Sequence, residues 1–210
     1  MASYTFKRVV TSSGALAELM GAPSDLAVKK QLDELDSHML SFIGASPFLL
    51  LGTVGSSGRC DVSPRGDAPG FVRALNSRTL VIPERPGNRR TDSLRNVIET
   101  GAVGLLFLIP GLGETLRVNG RACVIQDEEI LPTLAAQGKT PQVAVAVDVE
   151  ECFLQCAKAL LRSDLWAGRE GAPDLPLACF SQMLMDQTKL EGTTREALEE
   201  RIQASYNTLY

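Results

Sequence analysis

The densest chemistry in this chain lies in one stretch, Pro83-Glu84-Arg85-Pro86-Gly87-Asn88-Arg89-Arg90-Thr91-Asp92-Ser93-Leu94. Pro86-Gly87 breaks the preceding strand, Asn88 is a suitable helix N-cap, and Leu94, Val97 and Ile98 give the next residues one apolar helical face before Gly101 ends it. A helix N-terminus presents unpaired N–H groups and a partial positive charge, to which Arg89 and Arg90 in the first turn add full charges. A phosphate is the guest such a site suits. The competing reading pairs these arginines with Glu84, Asp92 or solvent.

Two further segments carry polar groups at telling positions. Asp61-Val62-Ser63-Pro64-Arg65-Gly66-Asp67 leaves a strand with Arg65 beside Gly66, where backbone can approach a ligand closely, although an ordinary loop would read the same. Glu114-Thr115-Leu116-Arg117-Val118-Asn119-Gly120-Arg121 alternates, so Leu116, Val118 and Gly120 share one strand face and Arg117, Asn119 and Arg121 the other. From Arg59 to Arg95 there are eight arginines, no lysine and four acids, a local excess of four positive charges in a chain of net charge −4. Arginine without lysine favours planar, bidentate recognition of phosphate or carboxylate.

The elements that must position these groups read as follows. Residues 1–46 are expected to be helical, with Leu26, Leu32, Leu35, Met39, Phe42 and Ile43 at three- and four-residue spacing behind a Ser24 cap. Phe48 to Val54 and Arg59 to Ser63 form a hairpin about Gly55-Ser56-Ser57-Gly58, and shorter strands follow near Gly70 to Ala74 and Thr79 to Pro83. Val103 to Ile109 and Glu114 to Gln126 make a second hairpin, an acidic short helix covers Asp127 to Ala136, and Val143 to Val149 alternates as a strand. Antiparallel strands with one inserted helix describe a small barrel better than a parallel sheet.

Composition bounds the rest. With 210 residues, 44% hydrophobic and 22% charged, the chain fits one core with extensions. The acidic balance argues against a nucleic-acid partner, and apolar runs of strand length against a membrane one. The sequence opening MASYTFKRVV lacks an export h-region, so a cytoplasmic location is expected. Five scattered cysteines (Cys60, Cys123, Cys152, Cys156, Cys179) fit neither a disulfide framework nor a zinc set and are read as structural. Neither a Gly-x-Ser-x-Gly elbow nor a dinucleotide fingerprint is present.

Together, FLLLGTVGSSGRCDVSPRGDAPGFV, TLVIPERPGNRRTDSLRNVIE, VGLLFLIPGLGETLRVNGRA and CAKALLRSDLW, running from Pro47 to Trp166, resemble the pyridoxamine 5'-phosphate oxidase class and its bacterial SPRGD/RPGNRR branch. The resemblance implies a mainly β fold with helices: a six-stranded antiparallel split β-barrel over residues 47–166, with helical extensions at 1–46 and 167–210. It implies FMN as cofactor, held in a homodimer at the subunit interface. Ser63 and Arg65 would border the flavin, Asn88, Arg89 and Arg90 would hold its phosphate, and Arg117 and Asn119 would approach the ring from the partner subunit. Lys158 and Trp166 would line the pocket.

The family's oxidases proper carry an Arg-x-His motif near the C-terminus, whereas the only histidine here is His38, so vitamin B6 oxidation is not expected. Where related sequences read His-Cys-x-Lys-Ala, this chain has Gln155-Cys156-Ala157-Lys158-Ala159. The expected activity is an FMN-dependent oxidoreductase on a small molecule, with NADH or NADPH as the candidate donor. The alternative is a non-catalytic flavin carrier or sensor, with a haem-binding variant of the barrel third.

Overall fold

The computed structural model describes residues 5–167, 178–189 and 192–210. Its centre is one antiparallel sheet of seven strands in the order β2-β1-β5-β6-β7-β4-β3. These are β1 (Phe48–Val54), β2 (Cys60–Gly66), β3 (Arg73–Ala74), β4 (Thr79–Pro83), β5 (Ala102–Leu108), β6 (Thr115–Ile125) and β7 (Ala144–Gln155). The edge strands β2 and β3 do not pair, so the curled sheet stays open. The two-residue β3, inside the Gly70 to Ala74 segment expected as a strand, sits on the rim beside β4 and brings the sheet to seven strands where the resemblance implies six.

Alternation decides which side of the sheet is core. In β1 Leu49, Leu51 and Thr53 are buried, in β5 Val103, Leu105 and Phe107, and in β6 Leu116, Val118 and Gly120, while the residues between them face outward. Two helices cover the apolar side. Met39 and Ile43 enter the core from α3 (Ser37–Ala45), and Leu94 and Val97 from α4 (Asp92–Thr100). Gly101 closes α4 at φ +69°, and its N–H donates to Val97 O at 2.9 Å. Ile98, expected on the apolar face of α4, is exposed, because the buried side of the helix is Ser93, Leu94 and Val97.

The β6–β7 pair contains a bulge. Asn119 faces Glu151 and Gly120 faces Val149, so Glu150 is the extra residue. At this kink Gly120 approaches the opposite backbone so closely that an added Cβ would lie 2.0 Å from Asp148 O.

Residues 5–46 are not one helix. They form α1 (Ser13–Met20), α2 (Asp25–Lys29) and α3, with Ser24 capping α2 as its sequence suggests. Between α2 and α3 the chain is extended because it pairs elsewhere. Leu32 N–H donates to Cys152 O at 3.0 Å, Leu32 O accepts from Cys152 N–H at 2.8 Å, and Leu35 N–H donates to Ser77 O at 2.8 Å. These long-range bonds outweigh the helical spacing of the leucines, leaving Leu26 exposed. The alternating strand near Val143 to Val149 likewise runs on to Gln155, and the acidic segment contains only a 3-10 turn, Leu131–Leu134.

Cys152 sits inside that clasp, its Sγ 3.2 Å from Glu34 O, and burial pushes its thiol up to about 11. The other four cysteines are exposed, which corrects the structural reading of all five. Iodoacetamide is expected to label Cys60, Cys123, Cys156 and Cys179 in the folded protein and to spare Cys152 until denaturant is added, as read by peptide mass spectrometry. Labelling of Cys152 in the folded state would mean that the clasp does not hold.

Candidate functional site

The main cavity, about 920 Å³, opens between β2, the Pro83–Leu94 segment and the loop Lys139–Val143. The side of β2 that carries Asp61, Ser63 and Arg65 faces into it. Ser93 Oγ donates to Asp61 Oδ2 at 2.7 Å and lies 3.0 Å from Ser63 Oγ, while Arg65 Nε donates to Ser63 Oγ at 3.2 Å and its Nη1 to Glu84. Arg65 is thus committed to an ion pair with Glu84.

The Asn88–Arg90 turn departs from expectation in one respect. Asn88 does not cap the helix: its Oδ1 accepts from Arg90 N–H at 3.0 Å, and α4 begins four residues later, at Asp92. Arg89 and Arg90 therefore lie in the turn before the helix, not in its first turn. The N-cap is Thr91, at φ +57°, and its side chain makes no capping hydrogen bond. The open N–H end of α4 is thereby left facing the cavity, whose lining includes Thr91, Asp92, Ser93 and Leu94. Arg89 is also left-handed, at φ +60°, so two non-glycine residues in three hold a conformation that costs roughly 1–3 kcal/mol each and is commonest at ligand clamps.

Charge sorts the two arginines. Arg90 Nε donates to Asp92 Oδ2 at 2.8 Å, and this pair draws the Asp92 carboxyl below its usual range. Arg89 makes no ion pair or side-chain hydrogen bond among the described residues, so its cation is the one this turn has to offer an anion.

A second cluster meets the cavity through Arg85 and Tyr210. Arg85 Nε donates to Asp67 Oδ2 at 2.6 Å, the Tyr210 hydroxyl donates to Asp67 Oδ1, and the Arg85 guanidinium lies 5.7 Å from the centre of the Tyr210 ring. Burial pushes the Asp67 carboxyl up, but hydrogen bonds from Tyr210, the Ala68 N–H and Arg85 outweigh it and hold the group below its ordinary value. The Tyr210 phenol, donating to that carboxylate, is raised. Sequence reading missed this cluster, since Tyr210 has no local motif and meets Asp67 across 143 residues.

Arg117 and Asn119 are not in this cavity. They lie on the outward face of the sheet, where Leu50, Gly52, Val62, Gly104 and Leu106 line a shallow depression of about 220 Å³. Arg117 stands 5.2 Å from the Phe153 ring, which also receives Lys30 at 5.3 Å, and Asn119 Nδ2 donates to Glu151 Oε1 at 2.7 Å. Lys158, the first residue of α5 (Lys158–Ser163), and Trp166, whose Nε1 donates to Leu112 O at 2.8 Å, line neither surface. Of the nine site residues named from the sequence, five converge in the main cavity, two share the outward face and two stand apart. His38 is exposed on α3. Among the described residues no group of three His, Cys, Asp or Glu is placed to hold a metal, and no helix is long and apolar enough to cross a membrane.

The fold is an open antiparallel sheet with this cavity beside α4. Residues 35–156 match the family model described as Pyridoxamine 5'-phosphate oxidase, and the chain belongs to that family. No curated protein matches the chain. Among solved structures it resembles HupZ of Group A Streptococcus (15% identity, TM-score 0.48, covering 66% of this chain and 99% of that one). It also resembles a Lactobacillus delbrueckii protein named by inference a pyridoxamine 5'-phosphate oxidase (22%, TM-score 0.45, 59% and 98%). A third is an FMN-binding protein from Syntrophomonas wolfei (12%, TM-score 0.44, 61% and 90%). Membership rests on the family model, not on these overlaps.

Proposed function

We propose that this protein is an FMN-dependent oxidoreductase acting on a small molecule other than vitamin B6, with its cofactor phosphate at the open end of α4. In this reading Asn88, Arg89 and Arg90 hold the phosphate, and Ser63 and Arg65 border the ring. A second copy of the chain brings its outward face, with Arg117 and Asn119, against the flavin, and residues 47–166 form the body that carries the site. The supporting observation is the coincidence, in one cavity, of an uncapped helix N-terminus with an arginine that pairs with no other side chain among the described residues. A phosphate dianion is the group whose charge and acceptors both features accommodate.

The residues present fit the cofactor. Bound FMN would supply hydride chemistry, and no protein nucleophile is needed for it. The chain's own part is to fix the phosphate and to place donors and cations near the ring. Arg65, held by Glu84 and Ser63, is oriented rather than free, which suits positioning more than charge neutralisation. The half-exposed Leu50, Gly52, Gly104 and Leu106 offer a flat apolar wall on the face assigned to the partner.

The test is a titration of apoprotein with FMN and with riboflavin, followed by light scattering of the loaded protein and anaerobic addition of NADH or NADPH. FMN is expected to bind at least tenfold more tightly than riboflavin, at a mass of about 45 kDa, twice the 22.6 kDa of one chain. Equal affinities would remove the phosphate assignment, and a monomeric loaded species the shared site. Bleaching of the flavin with turnover marks an enzyme; tight binding without it marks a carrier.

A further inference from the structure

Helices α6 (Phe180–Thr188) and α7 (Arg195–Tyr206) pack on each other as a hairpin, and the segment after α7 reaches back to the main cavity. What fastens this hairpin is unusually concentrated. Within α7 only Leu198 is buried. Among the described residues, the hydrogen bonds that tie the hairpin to the rest of the fold all end on Tyr210: its hydroxyl donates to Asp67, and its carbonyl accepts from Lys139 Nζ. The Tyr210 ring, itself part of the cavity lining, adds the contact with Arg85.

We propose that the strap Asn207–Tyr210 is a releasable lid on the cavity, with Tyr210 as the latch and Asp67, Arg85 and Lys139 as the catch. The catch is rigid. Asp67 is nearly buried, its backbone N–H donates to Pro47 O at 3.1 Å, and its Oδ2 is held by Arg85 whether or not the tyrosine is present. The latch can leave without breaking any strand pairing, because among the described residues every hydrogen bond that ties it to the rest of the fold is made by Tyr210. About 920 Å³ of cavity remains with the lid down, so the closed state has room for a ligand and excludes bulk water from one end of it. The consequence is kinetic. A ligand enters and leaves when Tyr210 lets go, and the lid slows both steps.

The use of FMN as probe rests on the flavin reading above, and the latch itself is tested without it. In protein free of added flavin, amide exchange over residues 195–210 is compared for wild type, Tyr210→Ala and Tyr210→Phe. The alanine variant is expected to exchange roughly tenfold faster or more, and the phenylalanine variant, which keeps the ring on Arg85 but loses the bond to Asp67, to fall between. Equal exchange in all three overturns the latch, whatever the cavity binds. With FMN, stopped-flow fluorescence is expected to show both association and dissociation faster by roughly the same factor in Tyr210→Ala. Normal FMN kinetics alongside faster exchange would overturn the lid, leaving Tyr210 as a tether only. Absence of FMN binding in wild type would overturn the flavin reading and its gating together, while the exchange comparison would still decide the latch.

Discussion

Arg89→Ala is expected to lower FMN affinity by roughly tenfold to a hundredfold while leaving riboflavin affinity nearly unchanged. Competition for charge singles this residue out. Arg90 already answers to Asp92 and Arg65 to Glu84, so replacing either would strand an acid in addition to weakening the hold on the ligand. Among the described residues Arg89 has no such entanglement, and its removal is felt by the ligand alone. Arg89→Gly sharpens the result, since residue 89 sits at φ +60°, where glycine is at ease; this variant should lose the phosphate as alanine does without losing stability. As control, Arg117→Ala on the outward face is expected to affect both flavins alike. Isothermal titration with the two flavins measures all of this, and parallel losses for Arg89→Ala would return the arginine to the surface.

Gly120→Ala is the larger effect and falls on the fold. An alanine Cβ would meet Asp148 O at 2.0 Å and the Asp148 carbonyl carbon at 3.0 Å, both of them backbone atoms of the neighbouring strand. Relief requires β6 and β7 to part at their bulge, where Leu116, Val118, Val147 and Val149 are all buried. Overpacking against side chains commonly costs about 1–3 kcal/mol, and against backbone the upper end or beyond is expected. A urea midpoint shifted down by that amount, or failure to recover folded protein, is the predicted result. Gly44→Ala, with nothing within 4 Å of its added Cβ, serves as the control that should unfold like wild type.

What could be read from the sequence was what is decided locally. The strands β1 and β5, the alternation along β6, the Gly101 stop and the Ser24 cap each depend on a few adjacent residues, and each stands in the structure. The readings that failed concern residues whose backbone or side chain finds a different partner. Leu32 has helical spacing but spends its backbone on Cys152, and Asn88 has a cap's chemistry but turns it on Arg90. In the cavity, the arginine-rich turn and Arg65 announced themselves, while Glu84 and Asp92 were visible as possible partners without any sign of which would pair. Tyr210 and Lys139 gave no signal, because a lone tyrosine and a lone lysine acquire their roles only through contacts made in three dimensions. Lys158 and Trp166 came from resemblance and not from local chemistry, and neither reaches the cavity.

The separation between strand partners also bears on how the chain is made. β1 can pair with β2 as soon as the hairpin emerges, but β4, finished at Pro83, lies against β7, which begins only at Ala144. At synthesis rates of about 5–20 residues per second, the β4 edge waits several seconds for its neighbour. Throughout that interval it presents Leu80, Val81 and Ile82, all buried in the finished fold, together with an unpaired row of backbone groups. A ribosome carrying this half-made sheet is the state in which the chain most needs a chaperone, and a slow codon between β4 and β7 would lengthen that exposure.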